Sequence, residues 1–173
     1  METDTEVNAM LVAKQYAERL QSLYAQIRSW LGEEHYSFEQ GSLVLEQMMV
    51  GEYTAPTLVI RNKHSHSIVA SLEPVGALII AAAGRVDIHG DIDSDYLLYL
   101  MPSSGIYLKT TVKGVHNSEK NEEKVNLTPY REVPVEGWYR PEMRGLGRVK
   151  PISKELFFDI LLEVSPDEVF VNA

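Results

Sequence analysis

Near the N-terminus apolar positions recur at helical spacing. Met10, Ala13, Ala17, Leu20, Tyr24, Ile27 and Leu31 step alternately by three and four, the stripe of an amphipathic helix. Tyr16, Leu23 and Trp30 run beside it every seven residues and widen the apolar face, while Lys14, Gln21 and Arg28 form a polar flank. Asp4 or Thr5 can cap the start, Glu6 suits the first turn, and Gly32 is placed to end it. The expected helix, about 6–31, is ~39 Å long, whereas a strand of ordinary length spans only ~17–20 Å. Either it packs diagonally across a wide sheet, or part of its stripe meets a second copy or another protein.

From residue 36 to about 140 the period switches to that of strands. Ser42–Val50 alternates, Gly51-Glu52 signals a tight turn, and Tyr53–Arg61 completes a hairpin in which Pro56 favours an edge or a bulge. Asn62–Ser65 turns the chain into Ser67–Leu72, with Ile68, Ala70 and Leu72 on one face. Glu73-Pro74-Val75-Gly76 is expected to break that strand and Ala77–Ala83 to resume it, its small residues admitting the close approach of the long helix. Arg85–Ile88 continues it. Tyr96–Met101, apolar throughout, reads as a central strand buried on both faces. Ile106–Val112 reads as a half-exposed strand, Lys113–Asn126 as a polar loop, and Gly137–Arg140 as a short strand in a proline-punctuated region. Ser153 caps a second helix whose buried face is Leu156, Phe157, Ile160, Leu161 and Val164, stopped by Pro166.

The expected fold is therefore α+β in a single domain over 1–173. A long N-terminal amphipathic helix (1–34) precedes a mainly antiparallel sheet of about seven strands (36–140); a basic loop and short C-terminal helix (141–173) follow. Closure of the sheet into a barrel is left open by the pattern.

Composition narrows the classes. A 173-residue chain that is 45% hydrophobic and 24% charged is globular. It has no cysteine, which excludes disulfide scaffolds, thiolate metal sites and thiol nucleophiles. A net charge of −9 argues against a nucleic-acid partner. No apolar run approaches the ~20 residues of a membrane span, and the acidic N-terminus lacks the features of a signal peptide; a cytoplasmic protein is expected. Charge is uneven: residues 113–150 carry a net +2, while the flanking segments are acidic.

Three features invite chemistry. Asp87, His89 and Asp91 fall at every second position within Asp87–Asp95; with the His64 and His66 pair they offer imidazole and carboxylate ligands for a divalent metal, as in a metal-dependent hydrolase. The plainer reading is an acidic turn whose aspartates bond local amides, with the segment carrying His64 and His66 likewise a polar hairpin turn. Arg85 beside Asp87 reads as a structural ion pair. Arg140, Arg144 and Arg148, in a glycine-containing loop begun by two aromatics, could clamp an anion or phospholigand, or simply neutralise the acidic segments around them. Dinucleotide, P-loop and Gly-x-Ser-x-Gly patterns are missing from the sequence.

With no catalytic constellation standing out, the expected function is a non-catalytic protein-interaction domain of a small cytoplasmic protein, of an inhibitor, immunity or antitoxin type. It would bind a protein partner or a second copy through Met10, Tyr16, Leu20, Leu23, Tyr24, Ile27 and Trp30, and needs no cofactor. The alternatives are the hydrolase and the anion-binding module.

Overall fold

A computed structural model of the chain describes residues 4–102, 107–108, 125–126, 130, 133–142 and 147–169. Helix α1 (Asp4–Leu31) is followed by strands β1 (Tyr36–Gln47), β2 (Gly51–Asn62), β3 (Ile68–Gly76), β4 (Arg85–His89) and β5 (Ser94–Leu100). Two short strands, β6 (Tyr107–Leu108) and β7 (Val125–Asn126), pair with each other. Then come β8 (Gly137–Pro141), β9 (Val149–Pro151), α2 (Lys154–Val164) and a 3-10 turn at Pro166–Glu168. The main sheet has the order β1-β2-β3-β4-β5-β8-β9, antiparallel at every junction. This is the expected α+β architecture. The rest of the expected Ile106–Val112 strand and Lys113–Asn126 loop lies outside the described residues, as do the side chains of Asp4, Thr5 and Glu6.

Both helices cover one face of the sheet. Tyr16, Leu20, Leu23, Tyr24 and Ile27 of α1 and Phe157, Ile160, Leu161 and Val164 of α2 form one buried cluster with Leu58, Ile60, Leu72, Val86, Ile88 and Leu97. Each such side chain, removed from water, contributes roughly 1.5–3 kcal/mol. Leu98 and Leu100 point the other way, where a second cluster joins them to Ala82 and Tyr139, so β5 is buried on both faces as its composition predicts. Gly32, at φ 69°, ends α1 with its N–H donated to the Arg28 carbonyl at 2.9 Å. Ser153 caps α2 by accepting from the Leu156 N–H.

The first two strands are longer than expected. β1 and β2 are each 12 residues long, ~40 Å when extended, and match the 28-residue helix at ~42 Å. The sheet thus covers the stripe from Tyr16 onward.

Two stretches exchange roles relative to the pattern. Glu73–Gly76, expected to break a strand, continues β3, while Ala77–Ala83, expected to be strand, is the connection to β4. The physical reason lies in the register. Leu58 pairs with Leu72 at the end of the β2–β3 ladder, and the same register continued sets Pro56 against Pro74. Neither has an N–H to give, so β3 keeps pairing with β4 but leaves β2. The connection then folds back on itself through an Ile79–Ala82 bridge, with Ala81 at φ 62°. What approaches this connection is a side chain of the helix and not its backbone: at Gly84 a Cβ would lie 2.9 Å from the Tyr16 ring. The first hairpin also shifts: its turn is Met48–Val50, closed by Val50 N–H to the Gln47 carbonyl (3.0 Å), and Gly51 takes φ 83° as the first residue of β2.

Candidate functional site

Consecutive antiparallel strands place the β2–β3 and β4–β5 turns at one end of the sheet, and the β1–β2 turn and β3–β4 connection at the other. The first end holds the histidine and aspartate candidates. Asn62 builds the β2–β3 turn: its Oδ1 accepts from the N–H groups of His64 (2.8 Å) and Ser65 (3.2 Å), and its Nδ2 donates to the Glu168 carbonyl. His64 lies 5.9 Å, ring to ring, from His35, and His66 adopts φ 62°. At the neighbouring turn Asp91 N–H donates to Ser165 Oγ (2.7 Å) and Ile92 N–H to the Val164 carbonyl (3.0 Å). Asp93 and Asp95 accept from the N–H groups of Ser94 and Tyr96, each at 2.7 Å.

Asp87 and His89 stand on the sheet face away from Val86 and Ile88. Arg85 grips Asp87 with two hydrogen bonds (2.6 and 3.2 Å) and lies over the Tyr96 ring. His89 Nδ1 is 3.0 Å from Ser94 Oγ. The structure therefore brings the two turns to one end but does not gather His64, His66, Asp87, His89 and Asp91 around a point. Among the described residues no group of three or more such side chains is placed to hold a metal ion. Asp87 is held by Arg85 and His89 lies against Ser94 and Glu73, while His64 and Asp91 enter their turns through backbone N–H groups.

Of the basic candidates, Arg140 is drawn into the fold. Arg140 bridges Asp95 (2.6 Å) and Glu163 of α2, tying β8 to β5 and to the helix. Lys150 pairs with Glu142 at 3.0 Å. Arg148 is exposed, and its carbonyl accepts from the Glu142 N–H; Arg144 lies outside the described residues. Arg140 and Arg148 do not converge on a common point through any of these contacts.

Of the helix residues, Tyr16, Leu20, Leu23, Tyr24 and Ile27 belong to the core, and Trp30 is half-buried against Phe157. Desolvation pushes the phenols of Tyr16 and Tyr24 far above their ordinary pKa, and both hydroxyls are used internally. Tyr16 donates to the Arg85 carbonyl (2.5 Å), and Tyr24 to the Pro56 carbonyl (3.0 Å). Met10, 64% exposed, remains outside with its neighbour Leu11.

Met10 and Leu11 sit toward the second end, and that end is apolar. Met48 at the hairpin tip is 101% exposed and Ile80 in the β3–β4 connection 89%, with Met49 and Leu78 beside them also exposed. These segments are fastened to one another. Gln47 Oε1 accepts from the Ala77 N–H (2.8 Å) and the Tyr53 hydroxyl (2.5 Å), while its Nε2 donates to the Leu78 carbonyl (2.9 Å). The side-chain amide thus continues in place of the ladder that Pro56 and Pro74 end. Tyr53 in turn meets Tyr16 edge-on at 6.3 Å. Beside the tip, Glu46 stands directly across from Glu52, a like-charge pair that a cation would relieve. Sequence reading missed this end because Met48–Val50 and Ala77–Ala83 look like strand; only the register shows them to be turns.

A groove of about 750 Å³ between α1 and β5, β8 and β9 was also illegible in the sequence. Arg19, Tyr99, Glu136 and Trp138 are among its walls. Arg19 is committed to the Ala83 carbonyl (3.1 Å) and stacks on Tyr99; Trp138 Nε1 donates to the Arg19 carbonyl. Burial, reinforced by the Glu136 carboxylate, raises the Tyr99 pKa, so the phenol stays protonated at neutral pH.

No protein-family model, curated protein or solved structure matches the chain, and no described helix is long and apolar enough to cross a membrane.

Proposed function

We propose that this chain is a non-catalytic protein-interaction domain that docks a partner protein on the apolar end formed by Met10, Leu11, Met48, Met49, Leu78 and Ile80. The observation that carries this reading is the exposure of large apolar side chains on two turns that the Gln47 amide holds together. Scattered exposed apolar residues are ordinary; several on linked segments are characteristic of contact surfaces. The methionines supply flexible, polarizable contact area. The Glu46–Glu52 pair at the rim and the net charge of −9 favour a partner with a basic margin, which also speeds encounter. An inhibitor, immunity or antitoxin type of role accords with such a surface.

Native mass spectrometry of the chain purified gently from its own cells tests this. The expected result is a hetero-complex that the Met48→Glu, Ile80→Glu double variant loses, while the variant's folding stability stays within about 0.5 kcal/mol of wild type, as at exposed sites. A wild-type chain carrying no partner, or a partner retained by the variant, overturns the reading.

A further inference from the structure

The two edges of the main sheet are built differently. β9 is three residues long and ends in Pro151, a short, proline-terminated edge of the kind that resists pairing with another chain. β1 runs for 12 residues in unbroken register with β2, from Tyr36–Asn62 to Gln47–Gly51, with no bulge. Its stretch Gln40–Leu45 contains no charge and no proline, and Gln40–Val44 is exposed throughout. Among the described residues no strand pairs with its outer side.

The outward-facing groups can be assigned. Lys63 N–H donates to the His35 carbonyl (2.9 Å) just before β1, and Val50 N–H to the Gln47 carbonyl (3.0 Å) just after it. Bonded pairs alternate along an antiparallel ladder. The odd-numbered residues of β1 therefore direct their N–H and C=O toward β2, and Gln40, Ser42 and Val44 turn theirs outward.

We propose that this edge takes the β1 edge of a second copy of the chain, antiparallel about a two-fold axis at Ser42. That register puts Ser42 across from Ser42 of the second copy, Gln40 across from Val44, Glu39 across from Leu45 and Glu46 across from Phe38. Outward-facing residues then meet outward-facing residues, and no carboxylate meets another. Glu39 is already neutralised by Arg61 at 3.1 Å, which lowers the negative charge along the seam. A symmetric, self-complementary patch is what a two-fold dimer requires, and strand addition draws its affinity from main-chain hydrogen bonds. This surface is separate from the apolar end, and the inference does not rest on the function proposed for that end.

Analytical ultracentrifugation of the full chain tests it. The wild type is expected to be a dimer. Ser42→Pro removes the outward N–H at the axis without touching the β1–β2 ladder, and Ser42→Lys sets two like charges directly across from each other in the seam. Each should weaken the dimer roughly tenfold or more, and Ser42→Lys should leave the circular dichroism spectrum unchanged even if the proline disturbs the strand. A monomeric wild type, or a dimer that survives Ser42→Lys, overturns the inference. The Met48→Glu, Ile80→Glu variant should remain dimeric. If instead it alone dissociates the copies, assembly runs through the apolar end; this inference falls, and an interaction role for that end stands.

Discussion

The two ends of the sheet make opposite use of their turns. At the end closed by α2, polar side chains are consumed: Asn62 builds one turn, Ser165 Oγ accepts from the other, and Ser65 donates to Glu168. At the opposite end, apolar side chains are left over: Met48, Met49 and Ile80 face solvent on turns fastened by the Gln47 amide and the Tyr53 hydroxyl. A polar cluster in sequence therefore marks turn-building where it is satisfied internally, and an apolar run marks a candidate surface where nothing among the described residues covers it.

The largest expected effect comes from prying open the closed end. A Cβ on Gly90 would lie 2.3 Å from the Val164 carbonyl oxygen, which is backbone at the end of α2 and cannot simply rotate away. Gly90→Ala should therefore destabilise the fold by about 2–3 kcal/mol, read from urea unfolding. A neutral result would mean that the β4–β5 turn and α2 are less tightly apposed than the Ile92 and Asp91 hydrogen bonds imply, and the contrast between the ends would weaken.

The opposite end should respond in the other direction. Ala81 holds φ 62° in the β3–β4 connection, a conformation that a Cβ disfavours by roughly 1 kcal/mol. Ala81→Gly relieves that strain but frees the unfolded chain, so a gain of at most about 1 kcal/mol is expected in the same unfolding measurement. Loss of stability would show that the Ala81 methyl packs against its surroundings and that the apolar end is better built internally than its exposure suggests.

These substitutions also mark how far sequence reading reached. Both helices, their stops at Gly32 and Pro166, the Ser153 cap and the doubly buried β5 were legible, because each rests on local periodicity or a local cap. The Arg85–Asp87 pair was legible too, since residues two apart on a strand share a face. What escaped depends on partners distant in sequence. That Pro56 falls opposite Pro74 emerges only from the β2–β3 register, and it decides where β3 leaves β2. That Gln47 and Tyr53 then receive the Ala77 N–H follows from the departure. The exposure of Met48 and Ile80 is the last link in that chain, so the candidate surface was hidden although every residue in it was visible.

The smallest expected effect is the most direct test of whether the closed end's polar groups are occupied. The hydroxyls of Ser67 and Ser65 hydrogen-bond the Glu168 carboxylate and hold its pKa below the ordinary value of 4.5. A carboxyl lowered in the folded state contributes stability at pH values above its unfolded pKa, and that contribution fades as pH falls through the folded value. The window therefore lies on the acid side of 4.5, and, because the Glu168 carboxylate sits at the surface where solvent screens it, the effect on stability is slight. A carboxyl NMR titration should find the Glu168 midpoint below that of an ordinary glutamate, and Ser65→Ala should move it upward. Adding a divalent cation should leave the midpoint in place, since the serines already satisfy the carboxylate beside His64 and His66. A midpoint that drops on adding zinc would mean that this end has ligands to spare, and the two ends would no longer differ in the way their turns suggest.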